Sequence, residues 1–144
     1  MYREQPISDA EPIVLYVSPE GNDRWSGEQP EPTDGDGPLA TIERARRLVR
    51  KLRKLGRLEA PVRVVLRGGT YYLKKPFVLR PADGGTQECR ITYMAYEGEE
   101  PVLSGGRRIE GWRETEVNGR RAWVADLPEV KAGDWWFRQL FVDG

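Results

Sequence analysis

From Val62 to Gly106, short apolar runs alternate with double-glycine corners, and the rest of the chain is arranged around that stretch. Val62 to Leu73 holds two short runs parted by Gly68-Gly69, and Phe77–Leu79, Ile91–Tyr96 and Val102–Gly106 follow. Runs of this length, rich in Val, Ile, Tyr and Phe and bounded by Gly, Pro and Asp, predict β-strands rather than helix. Leu66-Arg-Gly-Gly69 recurs as Leu103-Ser-Gly-Gly106. A strand, a corner and another strand, met twice, predicts flat coils stacked one on the next. One such coil cannot bury its own apolar face, so the pattern asks for neighbours.

Upstream, residues 1–12 are polar, carry two prolines and form a loose lead-in. Ile13–Val17 is the first predicted strand, followed by the turn-forming run Ser18–Gly27. Glu28 to Pro38 is nearly all Pro, Gly, Glu and Asp, a long loop without strand signal. Thr41 to Leu55 is the clear helix. Ile42, Ala45, Leu48, Val49, Leu52 and Leu55 share one face, Thr41 stands at the N-cap and Gly56 supplies the stop. Arg44 sits where a capping box would want an acid or Gln. The opposite face carries Arg44, Arg46, Arg47, Arg50, Lys51, Arg53 and Lys54. Its functional reading is an anionic-polymer patch. A solvated face complementing the helix dipole is the favoured one, because no second basic patch accompanies it.

After Gly106 the pattern loosens. Arg107–Ile109, Trp112, Ala122–Ala125 and Trp136–Val142 are strand candidates, with an Asn-Gly hairpin turn at Val117-Asn-Gly119 and a further turn at Lys131-Ala-Gly-Asp134. Asp143-Gly144 is another turn pair and normally feeds a following strand, so the chain is expected to be cut at its C-terminus.

Composition narrows the chemistry. In 144 residues, 23 basic side chains balance 23 acidic ones, so no global field favours nucleic acid or anionic lipid. No apolar stretch reaches the roughly 20 residues of a membrane helix, and the N-terminus lacks the features of a secretory signal. Cys89 is the sole cysteine, and the sequence has no histidine, which removes Ser-His and Cys-His catalysis and histidine metal ligation from this chain.

Carboxylates are plentiful: Asp23, Asp34, Asp36, Asp83, Asp126, Asp134 and Asp143. None sits in a pattern that marks an acid pair, and the glycines beside Asp83 and Asp134 point to turn roles. Asn22-Asp23 and Asp34-Gly-Asp36 offer hard oxygen ligands but lack the third acid and closing Glu of a calcium loop. Trp25, alone in a polar loop, is the one candidate substrate-binding residue, because sugar rings present CH faces that stack on indole. Trp123 and Trp136 alternate with polar residues and are expected in the core, Trp135 is open between the two roles, and Tyr71 and Tyr72 point to opposite sides of a strand. No catalytic residue, metal ligand or cofactor is assigned.

Several segments together resemble a known group. Tyr16-Val-Ser-Pro-Glu-Gly-Asn-Asp23, Gly37-Pro-Leu-Ala-Thr-Ile-Glu-Arg-Ala45, Arg67-Gly-Gly-Thr-Tyr-Tyr-Leu73, Ile91–Gly98, Pro101–Trp112 and Trp136–Val142 are similar to carbohydrate-active right-handed parallel β-helix proteins of the pectin-lyase-like fold. Within these the chain looks most like large β-helix glycoside hydrolases. The resemblance implies a mainly β chain, the start of a right-handed parallel β-helix with one N-terminal capping α-helix. It also implies that the catalytic acids lie on later coils absent here.

The expectations follow from these readings. Residues 1–12 form a flexible lead-in, 13–61 an N-terminal cap and 62–144 the first coils. The function expected is the cap and first coils of a glycoside hydrolase acting on plant-type polysaccharides or oligosaccharides, this chain alone being inactive. A free-standing carbohydrate-binding or structural module and a polysaccharide lyase fragment are the alternatives. Carbohydrate is the partner through the full-length parent, with no nucleic acid and no membrane. Self-association of the truncated chain is expected from its open apolar end. The compartment is cytoplasmic as the chain stands, or secreted if an upstream signal has been removed.

Overall fold

The computed structural model describes residues 10–142. Most of the lead-in and the turn pair Asp143–Gly144 thus lie outside the described residues. Two compact units divide after Gly106.

The first unit holds β1 (Ile13–Val17), α1 (Ile42–Lys54), β2 (Val62–Leu66), β3 (Gly69–Tyr72), a 3-10 turn (Pro81–Asp83), β4 (Ile91–Ala95) and β5 (Pro101–Ser104). β1, β2 and β4 form a parallel sheet in unbroken register, Leu15 beside Val64 beside Tyr93 and Val17 beside Leu66 beside Ala95. Parallel neighbours cannot be joined by a tight turn, and α1 supplies the crossover between β1 and β2. β3 and β5 make a separate two-stranded parallel sheet, Tyr71 beside Leu103. The core gathers Leu15 and Val17 of β1, Ile42, Ala45 and Val49 of α1, and Val62, Val64 and Leu66 of β2 around Leu39 and Tyr71. In β2 the inward set recurs every second residue, with Arg63 exposed between.

α1 is capped as its sequence predicts. Thr41 Oγ1 accepts from the Arg44 amide at 3.1 Å. At the other end Gly56 takes φ +66, and the amides of Gly56 and Arg57 donate to the carbonyls of Arg53 and Leu52 at 3.0 and 2.9 Å. Those two bonds are the Schellman arrangement, which satisfies carbonyls the helix itself leaves open.

The second unit holds β6 (Arg113–Val117), β7 (Arg120–Val124) and α2 (Pro128–Ala132). β6 and β7 are antiparallel across the expected Asn118-Gly119 turn, whose φ angles of 52 and 73 suit a right-twisted hairpin. Trp135 stacks on Phe137 with ring centroids 5.1 Å apart, and the Arg107 guanidinium lies over Trp135 while pairing with Glu129.

The expected right-handed parallel β-helix is not what forms. The described strands fall into three small sheets, one of them antiparallel, with two α-helices and no solenoid. The recurrence of Leu-x-Gly-Gly is one of residue type and not of conformation. Gly69 turns the chain from β2 into β3 at φ +117, whereas Gly105 and Gly106 take no positive φ and no strand pairs beyond them in a stack. Phe77–Leu79 forms no strand, because the Val78 carbonyl is taken by Arg46 Nη1 at 2.7 Å and Phe77 packs edge-on against Tyr93. Arg107–Ile109 and Trp136–Val142 form none either, and Trp136, Phe141 and Val142 lie exposed.

Candidate functional site

Because β1, β2 and β4 run parallel and in register, the segments leaving their C-terminal ends collect at one edge of the sheet. This is where open parallel sheets gather ligand sites. Ser18–Glu20 follows β1, Arg67–Gly69 follows β2, and Tyr96–Glu100 follows β4. The first two of these segments, Glu99 of the third and Pro30–Pro32 of the long loop wall a cleft of about 350 Å³, which also takes in Thr70. That is within the usual volume of a small-ligand site.

Arg67 organises the cleft. Its Nε and Nη2 donate to the Glu99 carboxylate at 2.9 and 2.8 Å, and its Nη1 donates to the Pro30 carbonyl at 2.7 Å and to Glu31 at 2.6 Å. The guanidinium carbon lies over the Tyr96 ring, 4.6 Å from its centroid. The Gly68 amide donates to Glu99 Oε2 at 2.6 Å. These bonds to Arg67 first, and to Gly68 second, hold the Glu99 carboxyl below the usual carboxylate range, while Glu99 and Glu31 raise Arg67 above its own. Beneath them the Tyr71 hydroxyl lies 2.9 Å from the Val17 carbonyl and 2.7 Å from that of Arg67, and donates its one proton between them. Burial, with Glu99 nearby, pushes this phenol up to about 12.

A second cleft of about 240 Å³ is lined by Pro19, Ala40, Thr41, Ile42, Glu43, Thr70, Tyr71, Tyr72 and Leu73. Pro19 and Thr70 wall both clefts, so the two adjoin.

Of the residues singled out in the sequence, Trp25 is half-buried and lines neither cleft. Its ring packs on the loop backbone, so that a Cβ on Gly37 would come within 2.8 Å of it. Asn22 Oδ1 accepts from the Arg24 amide, and Asp23 accepts from the amides of Ala40 and Thr41 and from Thr41 Oγ1. Asp36 accepts from both the amide and the hydroxyl of Ser26, which lower its carboxyl. No cluster of three or more metal-ligating side chains occurs among the described residues. Trp123 and Trp136, expected in the core, are exposed. Tyr71 and Tyr72 split as alternation requires, one buried and the other about half exposed.

The basic face of α1 is not simply solvated. Arg50 grips buried Asp83, Arg46 reaches Val78, and Arg53 donates to the carbonyls of Pro81 and Gly84. The arginines therefore strap residues 78–84 to the helix. Asp83 does more than make a turn. Bonding to Arg50 chiefly, and to the Arg80 amide, lowers its carboxyl. No local pattern reveals Arg67 with Glu99, 32 residues apart, or Tyr72 as a cleft residue. The one available signal is the polar Arg67-Gly68-Gly69-Thr70 corner at the end of a buried strand.

No protein-family model matches the chain, and a search of curated proteins finds no match. A solved structure named "Glycoside hydrolase" is similar to it at 34% sequence identity and a TM-score of 0.65. The likeness covers 81% of this chain and 18% of that one, so the chain spans under a fifth of its structural neighbour.

Proposed function

We propose that this chain serves a carbohydrate-active protein of the glycoside hydrolase kind, as a portion that engages plant-type saccharide and does not itself hold the hydrolytic acids. The likeness to a glycoside hydrolase over four-fifths of the chain carries this reading. Three carboxylates, Asp36, Asp83 and Glu99, lend support to its second half. Hydrolysis takes two acids flanking the scissile bond, one of them protonated at the working pH. Glu99 is held ionised by Arg67 and Gly68, Asp83 by Arg50, and Asp36 by Ser26. A carboxyl whose acid form is disfavoured is a poor proton donor.

The test pairs two readouts on the purified chain, mobility in polysaccharide-containing native gels and release of reducing ends from the same polysaccharides. Retention on at least one plant polysaccharide without release is the expected result. Reducing ends released above a heat-killed control would overturn the non-catalytic assignment. Unretarded migration through every gel would overturn the carbohydrate reading.

A further inference from the structure

We propose that the groove formed by the two adjoining clefts binds a neutral oligosaccharide, with one sugar ring stacked on Tyr72; this rests on the carbohydrate reading above. Tyr72 ends β3, whose backbone is fixed by parallel pairing with β5: Tyr72 lies beside Ser104, and the Leu73 amide donates to the Ser104 carbonyl at 2.8 Å. The alternation that buries Tyr71 in the core turns Tyr72 outward, 49% exposed, as the one exposed tryptophan, tyrosine or phenylalanine lining either cleft among the described residues. A ring held on a strand loses little freedom on binding and offers an apolar face with a polar tip, which suits the CH face and hydroxyl rim of a pyranose. Trp25, the aromatic that the sequence favours for this part, lines neither cleft.

The groove has polar partners along its length. Glu43 and Thr70 stand with Tyr72 in the smaller cleft, and Thr70 leads past Pro19 into the larger one with Ser18, Glu20, Glu31, Arg67 and Glu99. Carboxylates accept from sugar hydroxyls, and hydroxyls both accept from them and donate to them. Their charge decides the class of sugar. Among the described residues, four carboxylates, Glu20, Glu31, Glu43 and Glu99, line the groove against the single guanidinium of Arg67, which Glu31 and Glu99 already engage. A uronate would enter a field of its own sign with no free cation among the described lining residues to meet it, and a neutral saccharide meets no such penalty.

Affinity electrophoresis of the whole chain tests this, with gels containing arabinoxylan, arabinan, mixed-linkage β-glucan or polygalacturonate beside a carbohydrate-free gel. The wild type and Tyr72→Phe are expected to be retarded by at least one neutral polysaccharide and not by polygalacturonate. Tyr72→Leu, which keeps an apolar strand residue but no ring face, is expected to bind that polysaccharide at least tenfold more weakly. Thr70→Arg, an exposed change that fills the junction of the clefts, gives a second route to the same loss should Tyr72→Leu melt early. Retardation of both variants equal to the wild type, or loss in Trp25→Ala alone, overturns the site and leaves the carbohydrate reading standing. Strongest retention on polygalacturonate overturns the charge argument and with it the proposal. A wild type that no polysaccharide retards removes both the site and the reading beneath it.

Discussion

Arg50 of α1 meets Asp83 of the 3-10 turn side-on, Nε to Oδ1 at 2.9 Å and Nη2 to Oδ2 at 2.7 Å. Asp83 is 5% exposed, and it also accepts from the Arg80 amide. Removing one partner of a buried pair leaves the other unsatisfied, at about 3–5 kcal/mol. Asp83→Ala is expected to cost about 3 kcal/mol, the lower end of that range, because Arg50 stays partly open to water. Urea denaturation read by circular dichroism checks it. A loss no larger than that of an exposed surface substitution would show that the strap over α1 contributes nothing.

Asp36, Asp83, Glu99 and Glu129 are all held below their ordinary values by hydrogen-bond partners, so their sign is shared. A carboxyl lowered in the fold stabilises it while ionised. That contribution is complete above the unfolded-chain value, about 3.9 for Asp and about 4.3 for Glu, and is lost as pH falls through the folded value. The melting temperature is therefore expected to be level from pH 7 to 5 and to fall between pH 4 and 2. Asp83→Asn should shrink that acid limb. A melting temperature that rises on acidification would contradict the assignment.

Two glycines are fixed by close backbone approach. A Cβ on Gly21 would lie 2.3 Å from the Leu39 carbonyl oxygen, and one on Gly85 would lie 2.2 Å from that of Cys89. Gly105, by contrast, has nothing within 4 Å. Gly21→Ala and Gly85→Ala are each expected to destabilise by about 1–3 kcal/mol, with Gly105→Ala within about 0.5 kcal/mol of the parent. Thermal denaturation of the three variants side by side decides it.

Within the second unit, β6 and β7 form a two-stranded hairpin whose Val117 and Trp123 are exposed. A lone hairpin of this kind is marginal in water. Amide hydrogen exchange is expected to protect Leu15, Val62 and Val64 strongly and residues 113–124 weakly, with Asn118→Ala weakening the latter further through the left-handed strain at φ 52. Equal protection in both strand groups would show unrecognised packing on the hairpin.

Much of the first unit was legible because its signals are local. The helix stripe, the Thr41 cap, the Gly56 stop and the apolar runs of β1 and β2 each declare themselves within a few residues, as does the Asn118-Gly119 turn of the second unit. The architecture was not. Whether a short apolar run becomes a strand depends on a partner elsewhere, and Phe77–Leu79 lost its place to Arg46 while Trp136–Val142 found no pairing. The site depends on pairings further apart still. Asp23 was legible as an acid in a turn, but its work at Ala40 and Thr41 belongs to the folded chain. Trp25, in its polar loop, is the aromatic that the sequence favours, yet its packing on Gly37 and the pairing of β3 with β5 leave Tyr72 as the one that lines a cleft.

The groove is tested most directly by two-dimensional amide NMR of the labelled chain, titrated with a neutral xylo- or arabino-oligosaccharide. The account predicts saturable shifts centred on Thr41, Glu43, Thr70 and Tyr72 and reaching Gly68. Shifts centred on the Trp25 loop or on residues 107–142, or a spectrum unchanged at millimolar ligand, would contradict it.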